Sequence, residues 1–286
     1  MRTDDAVVEA NVISGNSGAG VLVINDADRV LIAGNRIGTT FDGLAALPNN
    51  TGIVMYDTLN DIELLSNLIS GNAEYGVDIQ STSTRYVTGT RMRGNFIGVS
   101  NSAAALPNGD GGIRIVNAPG TTIGTPGPGG NVISANGGIG AAVHGAASTG
   151  VVIQGNRIGS NPAGTLPLGN AGPGIQITTA GVEVGWRTGD AAMPPAGNLI
   201  SGNAGDGVQL LGAGATGNRV RGNRIGTTLD GMSALGDGTT ALSNYQAIYI
   251  TGASNIIGGP GPLERNLLSG NRVNGVFVGG AGATGN

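Results

Sequence analysis

The chain has 286 residues, with 14 basic and 18 acidic side chains and a formal net charge of -4. Every basic residue is arginine and cysteine is absent, which excludes a disulfide framework and thiolate metal sites, and the absence of a basic tract argues against a nucleic-acid partner. Glycine is abundant, at 56 residues, but follows no three-residue period, and 39% of the chain is apolar, so collagen and intrinsic disorder are both poor descriptions.

No run of 18 or more apolar residues is present to form a membrane-spanning helix. The opening "MRTDDAVVEA" lacks the charged-then-apolar pattern of a secretory signal. Residues 1–10 are expected to be an N-terminal extension that acts as a partial cap. Residues 11–286 read as one repetitive domain.

From residue 11 the chain is self-similar. An asparagine opens "NxIS" or "NxIG" at 11, 35, 67, 95, 131, 156, 198, 223 and 266. Between successive copies lies a second element, such as "GVLV" (20–23), "GVDI" (76–79), "GIQI" (174–177) or "AIYI" (247–250). A third apolar alternation comes after it, such as "VLI" (30–32) or "VEV" (182–184). Each unit therefore carries three short strands separated by Gly, Asn and Pro corners, and none has the length or 3.6-residue period of an amphipathic helix. Such a repeat predicts a coil in which each strand pairs with its equivalents one turn above and below. With strands ~4.8 Å apart, nine turns would build a rod roughly 40 Å long.

Units also alternate in pairs. Those ending "NVISGN", "NLISGN", "NVISAN" or "NLLSGN" run directly into the next strand. Those containing "GNRIGT", "GNFIGV" or "GNRIGS" first insert an extension: "TFDGLAALPNNT", "SNSAAALPNGDG", "NPAGTLPLGNAGP" or "TLDGMSALGDGTTALSNYQ". Four loops at one corner, every second turn, are expected to project from one side of the rod.

With these motifs the chain resembles the right-handed parallel β-helix repeats of the pectate-lyase-like superfamily. More narrowly, it is similar to "NxISGN…GNxIGT" arrays of large bacterial surface and secreted proteins. The resemblance implies an all-β, right-handed parallel β-helix of about nine three-stranded turns. It also implies an extracellular or cell-surface location as part of a longer chain. It does not select among the functions this scaffold hosts, which include lyases, hydrolases, adhesins and stalks.

Alternation of strand side chains separates inward from outward positions. The Ile of "N-x-I" should stack inside with its Asn, the Asn amides hydrogen-bonding along the column. The middle residue should face out, which places Arg36, Arg157 and Arg224 on loop-bearing turns, about 10 Å apart along the rod. One reading is an anion-recognising ladder for an acidic polysaccharide; the other is solubilising arginines whose stems cover apolar neighbours. In the "G-V-x-I" strand the outward column includes Asp78, Arg114, Gln176, Gln209 and Tyr249. In carbohydrate-active members of the superfamily one outward strand face floors the substrate groove, so the resemblance nominates these five as carbohydrate-binding residues. Asp78 and Arg114 are expected to form a surface ion pair worth under about 1 kcal/mol.

Catalytic chemistry finds little support in the residues. His144 is the only histidine, which rules out a multi-histidine metal site. The "HG" at 144–145 also occurs in polygalacturonase-like enzymes of this fold, but their paired-Asp motif is missing. No "GxSxG" is present. Asp57, Asp61, Glu63, Glu74 and Asp78 form the densest acidic patch, but without the strict spacing of a calcium site; "NGDGG" and "AGDGV" only echo a calcium-binding turn. No cofactor is expected, calcium being the one considered. Thr pairs occupy corners rather than a flat strand rank, against ice binding.

The expected function is a non-catalytic segment acting as stalk, adhesin or glycan-binding surface, with a polysaccharide or cell-surface glycan as partner. The alternative is a polysaccharide lyase or glycoside hydrolase working along the outward strand face. "GAGATGN" occurs at 212–218 and again at 280–286, where the sequence stops partway through a unit, which predicts end-to-end self-association through an open last turn.

Overall fold

Short apolar alternations broken by Gly and Asn corners leave the backbone one way to satisfy its hydrogen bonds: pairing with the equivalent strand of the neighbouring turn. A computed structural model describes residues 5–82, 84–127, 129–187, 190, 197–236 and 243–286. It contains three parallel sheets of nine strands each and one additional two-stranded sheet, Leu59–Asn60 with Val87–Thr88. The first sheet runs from Val7–Glu9 to Ile256–Ile257, the second from Val12–Ile13 to Leu267–Leu268, and the third from Ala19–Val23 to Val276–Val278. Each turn of chain contributes one strand to each sheet, so the architecture is a parallel β-helix of nine turns. Val7–Glu9 pairs with Leu31–Ala33, so the coil already takes in part of the segment expected to be a cap.

The interior is one continuous apolar cluster of stacked columns. Ile37, Ile69, Ile97, Ile133, Ile158, Ile200 and Ile225 of the second sheet are fully buried and lie in register. Ile53, Val77, Ile113, Ala141, Ile175, Val208 and Ile248 form the matching column of the third sheet.

The expected asparagine ladder runs the whole length. Each Nδ2 donates to the Oδ1 of the asparagine one turn on, from Asn11 to Asn266, at 2.9 to 3.1 Å. The backbone N–H of each donates to that same Oδ1, and Nδ2 also caps a strand carbonyl, as Asn131 does for Met92. A second ladder, not expected from the sequence, joins Asn16, Asn49, Asn72, Asn108, Asn136, Asn170, Asn203, Asn244 and Asn271 at 2.8 to 3.1 Å. Its members alternate between the last residue of "ISGN" or "ISAN" and the asparagine that ends an extension. Each loop therefore returns the chain to a fixed point before the third sheet begins.

Alternation of "NxIS" with "NxIG" has a steric origin. Ser70 Oγ donates to Val99 O (2.8 Å) and accepts from Gly98 N (3.0 Å). Ser134 and Ser201 repeat this towards Gly159 and Gly226. Gly98 has φ of 87°, and a Cβ there would lie 2.1 Å from Ser134 O. The loop-bearing turn needs a residue without a side chain where the loopless turn supplies a hydroxyl.

The extensions do not project freely. Each closes on itself through an antiparallel bridge, such as Thr39 with Ala46 or Thr227 with Ala234. They lie against the outward face of the second sheet and touch one another: Asn101 N donates to Gly43 O (3.1 Å) and Leu229 N to Gly164 O (2.9 Å). Leu68 and Leu199, outward-facing by alternation, are consequently buried.

Corner substitutions test this account of stability. Asn131→Ala strands the backbone N–H of Asn95, removes one of the three acceptors of Asn95 Nδ2 and takes a donor from the carbonyl of Met92, and should cost about 2–4 kcal/mol in chemical denaturation, whereas Asn11→Ala, at the exposed end of the ladder, should cost under about 1 kcal/mol. Equal losses at both positions would contradict a ladder whose interior rungs are buried. Ala135 occupies the left-handed region (φ 61°) where the other loopless corners use glycine. Ala135→Gly should therefore raise the free energy of unfolding in chemical denaturation by about 0.5–1 kcal/mol.

Candidate functional site

Outward side chains of the third sheet form one column. Leu22, Val54, Asp78, Arg114, Ala142, Gln176, Gln209, Tyr249 and Phe277 are consecutive register partners. All five residues nominated from the sequence are in it, with only Ala142 interrupting them.

Asp78 and Arg114 are more than a surface pair. The Arg114 guanidinium donates from Nε to Oδ1 (2.8 Å) and from a terminal nitrogen to Oδ2 (2.6 Å), and Gln80 Nε2 donates to Oδ2 (2.6 Å). Asp78 is only 5% exposed, and Arg114 lies 4.6 Å over the Tyr75 ring. The hydrogen bonds that Arg114 donates to Asp78 raise its pKa, so its charge is fixed in all ordinary buffers. Both carboxylate oxygens of Asp78 are thus committed to holding Arg114.

Further along, Gln176 Nε2 donates to Gln209 Oε1 (2.8 Å) and Gln209 Nε2 to Asp206 Oδ2 (2.8 Å). Asp206 Oδ1 accepts from Gln246 N (3.0 Å), so the "AGDGV" turn spends its carboxylate on its own neighbours. Tyr249 stacks on Phe277 with ring centroids 5.1 Å apart. The face therefore passes from a fixed ion pair through a chain of amides to an aromatic platform. Asp206, Tyr75 and Phe277 were not nominated. Phe277 was legible as the last member of the column, whereas Asp206 sits in a corner whose direction alternation does not give, and Tyr75 opens its strand in the inward parity of Val77 and Ile79, so alternation pointed away from it.

His144 lies in the adjacent outward column, beside Val116, with Nδ1 2.9 Å from Thr178 Oγ1. Burial, and secondarily the charge of Arg114, lower its pKa from 6.5.

The acidic patch is dispersed by the fold. Asp57 pairs with Arg85 (2.8 Å), Asp61 with Arg91 (3.3 Å), Glu63 with Arg93, and Glu74 accepts from Thr51 Oγ1 (2.9 Å). Among the described residues no group of three or more His, Asp or Glu side chains is placed to hold a metal ion.

Arg36, Arg157 and Arg224 share the second-sheet column but do not form an evenly spaced ladder. Arg36 and Arg157 are four turns apart, with Phe96 at the intervening loop-bearing turn. All three are partly covered, in a region where the loops lie on the sheet.

The profile described as a right-handed beta helix region matches residues 1–225. The chain belongs to the right-handed β-helix family. No curated protein matches it. Membership of that family accounts for the coil and its handedness and assigns no role to the outward columns.

Because the folded pKa of His144 lies below its unfolded value, the unfolded chain binds the extra proton as pH falls. The stability held by the neutral ring is complete above about pH 6.5 and is lost progressively below it, towards the lowered folded value. A denaturation midpoint measured from pH 8 to 5 should fall in the native chain more than in His144→Asn. Parallel curves for the two would remove this role for His144.

Proposed function

We propose that this β-helix is a non-catalytic binding segment of a secreted or cell-surface chain, whose third-sheet face receives a glycan. The observation that supports this reading most is the single register column in which Gln176, Gln209, Tyr249 and Phe277 succeed one another. Paired amides offer donors and acceptors to hydroxyls, and a ring stack offers a flat apolar surface to a sugar face. Successive turns repeat these groups every ~4.8 Å, which suits an extended polymer lying along the rod. The engagement of both oxygens of Asp78 and of Asp206 favours binding over general acid–base work, which needs a carboxylate free to exchange a proton.

A lyase or hydrolase remains the second reading, and His144 is the observation that favours it: a half-buried imidazole with a lowered pKa beside the Arg114 charge. A panel of neutral and uronic-acid oligosaccharides, read by calorimetry and by product analysis with and without calcium, separates the two. Saturable binding is expected without chain shortening, weakened at least tenfold, about 1.4 kcal/mol, by Tyr249→Ala or Gln209→Ala and unchanged by Arg91→Ala on the first sheet. Depolymerisation lost in His144→Asn would replace this reading with the enzymatic one. Absence of binding to the whole panel would end both.

A further inference from the structure

The four extended corners are copies of one loop, so a group missing from one copy can be judged against the others. In two copies the outward arginine of the second sheet is accompanied by a loop aspartate: Arg36 by Asp42 and Arg224 by Asp230. The second copy has neither, carrying Phe96 and Ser102. In the third copy Arg157 is kept while the aspartate position is Ala163.

Where the aspartate is present it does two things. Asp42 Oδ1 accepts from Thr40 Oγ1 (2.5 Å) and Leu44 N (3.1 Å), and Asp230 Oδ1 accepts from Thr228 Oγ1 (2.5 Å) and Met232 N (3.0 Å). Those hydrogen bonds, and to a smaller degree the charges of Arg36 and Arg224, hold the two carboxyls below the ordinary Asp range. In the third loop the cap is taken over by Asn161, whose Oδ1 accepts from Thr165 N (2.9 Å) and Leu166 N (3.1 Å). The loop keeps its shape with a neutral cap, and Arg157 loses its countercharge.

Among the described residues no carboxylate lies within ion-pair distance of Arg157, nor of Arg36 or Arg224, but those two have a loop aspartate near enough for its charge to be felt and Arg157 has none. Its Nε is buried with no hydrogen-bond partner. Burial lowers the pKa of its guanidinium. The same side chain borders a cleft of about 210 Å³ walled by Gly127, Gly155, Gly197, Leu199 and Leu229. Leu229 comes from the next loop and occupies the place that Asn101 takes beside Arg36. A charge and a donor withdrawn from water without a partner are unfavourable, and the forked guanidinium matches an oxyanion in geometry.

We infer that Arg157 and this cleft form a binding site for one small oxyanion, a carboxylate or sulfate group carried on a larger molecule. The cleft is smaller than the ~300 Å³ at which drug-sized ligand pockets begin, so it takes a single charged group rather than a sugar chain. It lies on the second sheet and does not depend on the third-sheet face.

The test titrates the 286-residue chain with acetate and with sulfate at constant ionic strength. The side-chain Nε–Hε signal of Arg157, assigned by its disappearance in Arg157→Gln, is monitored by nitrogen–proton NMR. A saturable shift is expected, with acetate alone assigning a carboxylate ligand and sulfate alone a sulfate ester; saturation by both supports the shared oxyanion chemistry. Ala163→Asp restores the internal carboxylate of the sister loops. It should weaken the affinity at least tenfold and raise the low-salt melting temperature. Shifts that stay linear in concentration, or a saturable site that Ala163→Asp leaves intact, would overturn the assignment.

Discussion

Everything in this molecule depends on keeping successive turns in register at the spacing of a β-ladder. A strand of two or three residues holds too few hydrogen bonds to fix its own register, and the corners between strands expose backbone groups that the rod interior cannot hydrate. Asparagine meets both demands, since it carries a donor and an acceptor on one short side chain. Its Oδ1 takes the N–H and Nδ2 of the turn before, while its own Nδ2 reaches the next turn and a strand carbonyl. Two such columns, at the two ends of the second sheet, clamp each turn so that the isoleucines between them stack without offset.

That clamp explains how the chain tolerates extensions without losing the coil. An inserted loop leaves after a glycine and re-enters at an asparagine of the second ladder, so whatever lies between is invisible to the core. The serine of the loopless turn and the glycine of the loop-bearing turn are complementary, one filling the space that the other leaves. The serine–glycine contacts close within a pair of turns, while the asparagine ladders run on through every turn.

Much of this was legible in the sequence, because period-two alternation identifies columns as soon as the repeat is aligned. The inward isoleucines, the first asparagine ladder and the membership of Asp78, Arg114, Gln176, Gln209 and Tyr249 in one outward column needed nothing else. The second ladder escaped because every second member lies at the end of a loop of variable length, in "LPN", "LGN" or "LSN", where spacing carries no signal. The course of the loops escaped for a related reason: whether a Gly-rich extension stands out or folds back depends on what its apolar residues find to cover. Here it is Leu68 and Leu199. Burial of Asp78 was likewise invisible, since it arises from Gln80, Tyr75 and Arg114 converging from two turns.

In a repeat rod, identical groups at equivalent positions answer to the scaffold, and only departures from the repeat carry information about ligands. The asparagines, the serine–glycine alternation and the inward isoleucines recur and are accounted for by packing. On the first sheet, arginines are matched turn by turn with carboxylates, as in Arg219–Glu183 and Arg221–Glu264, both at 3.1 Å. Against that pattern two places depart: the third-sheet face, where amides and rings replace aliphatic residues in the later turns, and Arg157, where a loop carboxylate is gone but the arginine stays. A half-buried unmatched cation is a cost that the fold itself does not require, since Phe96 fills the same position in a sister turn. The architecture around Arg157 gives its buried Nε no partner, whereas an oxyanion bound in the adjoining cleft would supply one.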